Sequence, residues 1–135
     1  MKRIITIFGL MLLLTGCIFQ SPYKKEEFKI FFNDKLKLRE ELIDELKKEN
    51  SINYNGVVIL EDKYNEIAYN NKVSTAVCNQ EECIVSFLYK PGFPDEAQYL
   101  VYTTKNEELI EEYIGKSNIG YIKIVEDNWY FVQCN

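Results

Sequence analysis

Residues 1–17, MKRIITIFGLMLLLTGC, restrict the folded protein more than any other stretch, because they take themselves out of it. Lys2 and Arg3 precede an unbroken apolar run from Ile4 to Leu14, and small residues then lead to Cys17. At ~1.5 Å rise per residue, a helix over that run would cover only about half of a ~30 Å hydrocarbon core. A buried helix of a domain would carry polar punctuation, which this run lacks. A basic start, a short apolar core and a small-residue end form the layout of an export signal, an address before it is structure.

Leu14-Thr15-Gly16-Cys17 resembles the lipobox of bacterial lipoproteins. The resemblance covers this end of the chain only and implies a diacylglyceryl thioether on Cys17, cleavage just before it, and acyl chains such as palmitate in the membrane. An ordinary secretory signal that happens to end in cysteine is the alternative. Each buried methylene contributes about 0.8 kcal/mol and one chain holds only marginally, so two or three chains are what would fix the protein. The expected organisation is a signal peptide over 1–16, a lipidated cysteine and short tether over 17–23, and one domain over 24–135. The tether Ile18–Tyr23 would set the folded body on the extracytoplasmic side of a bacterial membrane, close to it.

About 118 residues remain after the signal, enough for one core. Removing Lys2 and Arg3 takes the formal charge from -5 to -7. Such a body is repelled by nucleic acid, which is not an expected partner, and by anionic headgroups, against which the anchor would work. With Cys17 assigned to lipid, Cys78, Cys83 and Cys134 remain, an odd number in an exported chain that permits a disulfide.

Lys24 to Glu49 reads as a long amphipathic helix: Phe28, Phe31, Phe32, Leu36, Leu38, Leu42, Ile43 and Leu46 share an arc of about 160°. Lys35 and Arg39 fall inside the same arc. They either snorkel, stems on the apolar surface and charges at its edge, or form a small basic site for an anionic group. Asn33-Asp34 is a possible break that would turn both outward. Asn53, Asn55 and Gly56 suggest a turn before the apolar strand Val57–Leu60; Asp62–Asn65 suggests a second turn, with Glu66–Tyr69 as partner strand.

Val73–Cys78 and Cys83–Tyr89 flank the polar loop Asn79-Gln80-Glu81-Glu82, a common hairpin class. Symmetric closure sets Cys78 opposite Cys83, Val77 opposite Ile84 and Ala76 opposite Val85. A non-hydrogen-bonded pair brings Cα atoms to ~4.5 Å, within disulfide range. The rival is a bridge from one of them to Cys134. Both faces of this hairpin are partly apolar, as expected of strands central to a sheet. Pro91 and Pro94 stiffen the following connection, with Phe93 between them as either a contact residue or a cover for the core edge. Tyr99–Thr103 alternates as a strand. Thr104-Lys105-Asn106-Glu107 has capping-box spacing before a short helix bearing Leu109, Ile110, Tyr113 and Ile114 and ending at Gly115. Its acidic residues, Glu107, Glu108, Glu111 and Glu112, are expected on a solvated face. Ile119–Val125 and Trp129–Cys134 form a last hairpin.

The order of elements predicts an α+β fold: a long N-terminal helix on one face of a curved antiparallel sheet of five to seven strands, with a second short helix before the C-terminal hairpin. In outline this resembles cystatin-like helix-on-sheet folds, an architectural likeness that carries no function. The chain has no histidine, which removes imidazole acid–base chemistry and the Ser-His-Asp, Cys-His and HExxH arrangements. Cys-x4-Cys without a second pair does not suggest zinc, and no cofactor or metal is expected. Carboxylate pairs such as Glu61-Asp62 and Glu126-Asp127 would point to opposite faces if they lay in strands. The expectation is therefore a non-enzymatic, lipid-anchored binding, inhibitory or accessory module with an envelope protein as partner. The alternative is a small-ligand pocket between the long helix and the sheet, with Lys35 and Arg39 facing an anion.

Overall fold

The computed structural model describes residues 22–49, 52–59, 62–64, 66–79, 81–92 and 96–135. The fold is α+β. Two helices, α1 (Lys25–Asp34) and α2 (Leu36–Lys48), lead into the strands β1 (Ile52–Ile59), β2 (Lys72–Cys78), β3 (Cys83–Lys90) and β4 (Gln98–Thr103). A short helix α3 (Glu107–Ile110) continues as a wider π-helical turn, Glu111–Gly115, before β5 (Ile119–Glu126) and β6 (Trp129–Cys134). All strand pairs are antiparallel, and the sheet order is β1-β2-β3-β4-β6-β5. The β2–β3 hairpin is interior, as its two apolar faces require.

Each face of the sheet is covered. On one, Phe28 and Phe32, one helical turn apart on α1, meet β6: the Phe28 and Phe131 ring centroids are 5.0 Å apart and those of Phe32 and Trp129 5.6 Å. Leu42 and Ile43 of α2 continue this core over Val85, Phe87 and Leu100. On the other, Leu109 and Ile110 of α3 pack with Val77, Ile84, Val101, Tyr130 and Val132. The short helix therefore seals the face that the long helical segment leaves open.

The N-terminal helical segment is divided. Lys35 leaves helical geometry (φ -124, ψ 26) directly after Asn33 and Asp34, two residues of low helix propensity. The break orphans carbonyls at the end of α1, and Arg39 supplies their donors. Its Nη1 donates to the carbonyls of Phe31 at 3.1 Å and Phe32 at 3.0 Å, and its Nε donates to that of Ile67 at 2.8 Å. The guanidinium lies 4.4 Å from the Phe31 ring centroid, and the residue is fully buried, at 0% exposure. The expected break is present, but Arg39 turns inward rather than outward or to a snorkelling edge, because the break itself creates acceptors for it. Burial lowers its pKa to about 10, so the group stays charged at neutral pH.

Two local expectations are corrected. Asn53, Asn55 and Gly56 are part of β1, whose pairing with β2 shifts register between Asn55 and Val58; glycine marks a bulge here, not a turn. Glu66–Tyr69 is not a strand. Glu66, Asn70 and Asn71 have positive φ, and the connection is held by the Asn71 Oδ1 accepting from the Glu66 N–H at 2.8 Å and by the Arg39 bond to Ile67. β1 pairs with β2 across this longer link.

Arg39→Met would remove the costly buried charge but leave three carbonyls without donors, each costing ~1–3 kcal/mol when buried. We expect a net loss of about 3 kcal/mol or more, read as a lower urea midpoint by circular dichroism, with Arg39→Lys recovering only part because an ammonium lacks the planar fork. An unchanged midpoint in Arg39→Met would refute this role.

Candidate functional site

An open groove of about 600 Å³ lies between α2 and the end of the sheet where β5 turns into β6. Glu40, Ile43, Asp44 and Lys47 of α2 form one wall; Glu126, Asp127 and Asn128 form the other; Tyr102 and Trp129 line the base. Glu40 and Asp44 are one helical turn apart and so share a side of α2. Trp129 is held edge-on to Tyr102, centroids 5.3 Å apart, and to Phe32 behind it. Lys47 Nζ donates to the Tyr102 hydroxyl at 2.8 Å and lies 5.0 Å from that ring's centroid. Lys47 also lines a smaller hollow of about 260 Å³ with Asn79, Glu81, Glu82, Cys83 and Thr104.

Among the described residues, the ion pairs are Lys63–Glu45, Lys90–Glu27 and Lys105–Glu82. None engages Glu40, Asp44, Glu126 or Asp127, so four carboxylates surround an aromatic base already carrying one ammonium. Such a surface suits a further cation, attracted by the carboxylates and by the ring faces. Glu126 and Asp127 both reach the groove because Asp127 is in the two-residue turn rather than in the strand, where the two would diverge.

Arg39 and Lys35 do not line this groove. Arg39 is occupied by backbone carbonyls, and Lys35 is the half-buried residue at the helix break. The space between helix and sheet, expected to take an anion, is therefore acidic where it is open. Phe93 and Cys17 lie outside the described residues.

The β2–β3 register is the expected one, and Cys78 and Cys83 form a disulfide across it with Cα atoms 4.0 Å apart. The loop is also held without it: Asn79 Oδ1 accepts from the Glu81 and Glu82 N–H groups at 2.9 and 2.8 Å. Thr104, expected to cap α3, instead accepts from the Cys83 N–H at 2.9 Å. No side-chain cap bond forms at Asn106, which has φ 55. Cys134 is a free, half-buried thiol whose pKa is raised by burial.

Comparison with known families bears on the other end of the chain. Residues 1–17 match the family described as prokaryotic membrane lipoprotein lipid attachment site. The chain is a bacterial lipoprotein. No curated protein and no solved structure matches it. In this lipoprotein the matched segment ends at Cys17, six residues before Tyr23, whose ring packs 5.6 Å from Phe28 and 5.2 Å from Phe131. Tyr23 thus joins the core just before the start of α1.

Non-reducing peptide mapping should find Cys78 linked to Cys83 and Cys134 free. Closing so short a loop is worth about 2 kcal/mol in the chain-entropy account. The Cys78→Ala/Cys83→Ala lipoprotein should therefore stay folded, with stability lowered by about that much, because the Asn79 turn persists.

Proposed function

We propose that this lipoprotein is a non-enzymatic binding module, held by lipid on Cys17 at the extracytoplasmic side of a bacterial membrane. Residues 24–135 form its single domain, and the groove between α2 and the β5–β6 turn receives a basic segment of an envelope protein. The observation that carries this reading is the set of four carboxylates, outside any ion pair among the described residues, around the Tyr102 and Trp129 rings. A lysine or arginine of the partner would place its charge among the carboxylates and its stem or guanidinium plane on the rings. Such a contact accelerates and orients association and weakens with salt. Inhibition or accessory support of a membrane complex needs no more chemistry than this.

The groove's volume, within the ~300–1,000 Å³ common for ligand sites, supports a second reading in which a small organic cation is the ligand. The two differ in what is captured. A photo-crosslinking residue in place of the exposed Glu40 should capture a defined envelope protein in cells, and Asp44→Lys/Asp127→Lys in the same protein should abolish that capture with the fold unchanged. Capture unaffected by the charge reversal would defeat the groove as the binding site. Absence of any protein adduct, together with saturable binding of an alkylguanidinium or alkylammonium probe, would favour the small cation.

The anchor has its own test. Metabolic labelling with a fatty acid should mark the natural protein and leave Cys17→Ser unlabelled; equal label in both would rule out Cys17 as the attachment point.

A further inference from the structure

The two ends of the sheet differ in charge and in their distance from the anchor. One end is defined by Lys90 opposite Gln98 and Gln98 opposite Gln133, and the other by Cys78 opposite Cys83 and Tyr102 opposite Trp129. The start of α1 lies toward the first end, where Glu27 pairs with Lys90 and Tyr23 lies beside Tyr121, the partner of Gln133, while the Tyr23 ring packs on mid-strand Phe131. The groove and the disulfide loop are at the second. β3 connects the two ends, and its eight residues span about 23 Å at ~3.3 Å per step.

From Cys17 to Tyr23 there are six steps, at most about 22 Å even fully extended. A tether of that length keeps the start of α1 within about 22 Å of the lipid. Charge points the same way. The groove end carries Glu40, Asp44, Glu81, Glu82, Glu126 and Asp127 against Lys47 and Lys105, whereas the start of α1 exposes Lys24, Lys25 and Lys29 against Glu26 and a Glu27 paired with Lys90, and Glu111 and Lys116 together flank Ile119 at that end. The acidic residues are therefore concentrated at the end of the sheet away from the start of α1. With a Debye length of ~8 Å at physiological salt, an acidic surface more than 20 Å above the headgroups is almost fully screened from them, while the lysines beside the tether are within range.

We infer that the lipoprotein stands on an anionic bilayer on its Tyr23 end, with Lys24, Lys25 and Lys29 at the lipid surface, the strands running away from the membrane, and the groove presented at the far end. The overall acidity that would repel headgroups is thereby kept out of their reach. This rests on Cys17 carrying the lipid. It does not depend on what the groove binds.

The test is lysine acylation by a water-soluble, membrane-impermeant ester, read by mass spectrometry, on the full lipidated protein in vesicles of phosphatidylglycerol and phosphatidylcholine. Labelling of Lys24, Lys25 and Lys29 should be lost relative to Lys105, and Lys24→Glu/Lys25→Glu, two exposed substitutions, should restore labelling at Lys29. Equal protection of Lys105, no protection at the α1 lysines, or Lys29 protection indifferent to the charge reversal would each overturn the orientation. Intact mass measured on the same sample separates the two failures, since a Cys17 without acyl chains removes the anchor and the inference with it.

Discussion

The buried guanidinium of Arg39 is the contact on which the relation between the helices, the 66–71 connection and the groove depends. α1 ends at Asp34 with carbonyls that cannot be passed to α2, and a helix end buried without donors is costly. One side chain reaches the carbonyls of Phe31, Phe32 and Ile67, and its flat cation lies over Phe31. That arrangement sets where α2 begins and hence where Glu40, Asp44 and Lys47 project. Burying the charge carries its own cost: the unfolded chain binds this proton more tightly, so this group alone makes stability rise as the pH climbs above about 10. At neutral pH the charge is retained, and hydrogen bonds to an ionised donor offset its desolvation.

Much of the sheet was legible where local and long-range demands agree. In residues 72–90 the polar loop, the flanking β-branched runs and the paired cysteines all specify one register, and the observed ladder is that register. Agreement failed where a local signal competes with a tertiary partner. Asn53, Asn55 and Gly56 carry turn chemistry, yet pairing with β2 draws them into a strand whose ladder shifts at the glycine. Thr104 has the spacing of a capping box, but its hydroxyl is taken by the Cys83 N–H from the neighbouring hairpin. Glu66–Tyr69 looks extended in sequence because nothing local announces that Arg39, 28 residues away, will hold the Ile67 carbonyl.

The groove was illegible for a related reason. Its residues come from 40–47, 102 and 126–129, and no pattern within any one of those segments marks it. The helical arc correctly gathered Arg39 with the apolar residues but left open whether a cation there faces a ligand or the backbone. Only the broken helix decides it. The carboxylates that do face open space lie outside the arc, where a periodicity argument treats them as ordinary solvated surface.

The disulfide and the groove are at the same end of the sheet, and the sheet explains the association. Strand interiors are fixed by ladders on both sides and by apolar layers above and below, whereas the loops joining them have only what their own residues provide. At the Cys78–Cys83 loop, the Asn79 turn, the covalent bond, the Thr104 hydroxyl and the Lys105–Glu82 ion pair all act within a few residues. The adjoining hollow lined by Cys83, Thr104 and Lys47 meets the groove at Lys47, so the order imposed on the loop extends to one boundary of the groove. A partner that contacts an already ordered rim loses less conformational entropy on binding than one that must order it. Where the chain enters the domain, Tyr23 packs on Phe28 and Phe131, so the entry point is held by the aromatic core itself.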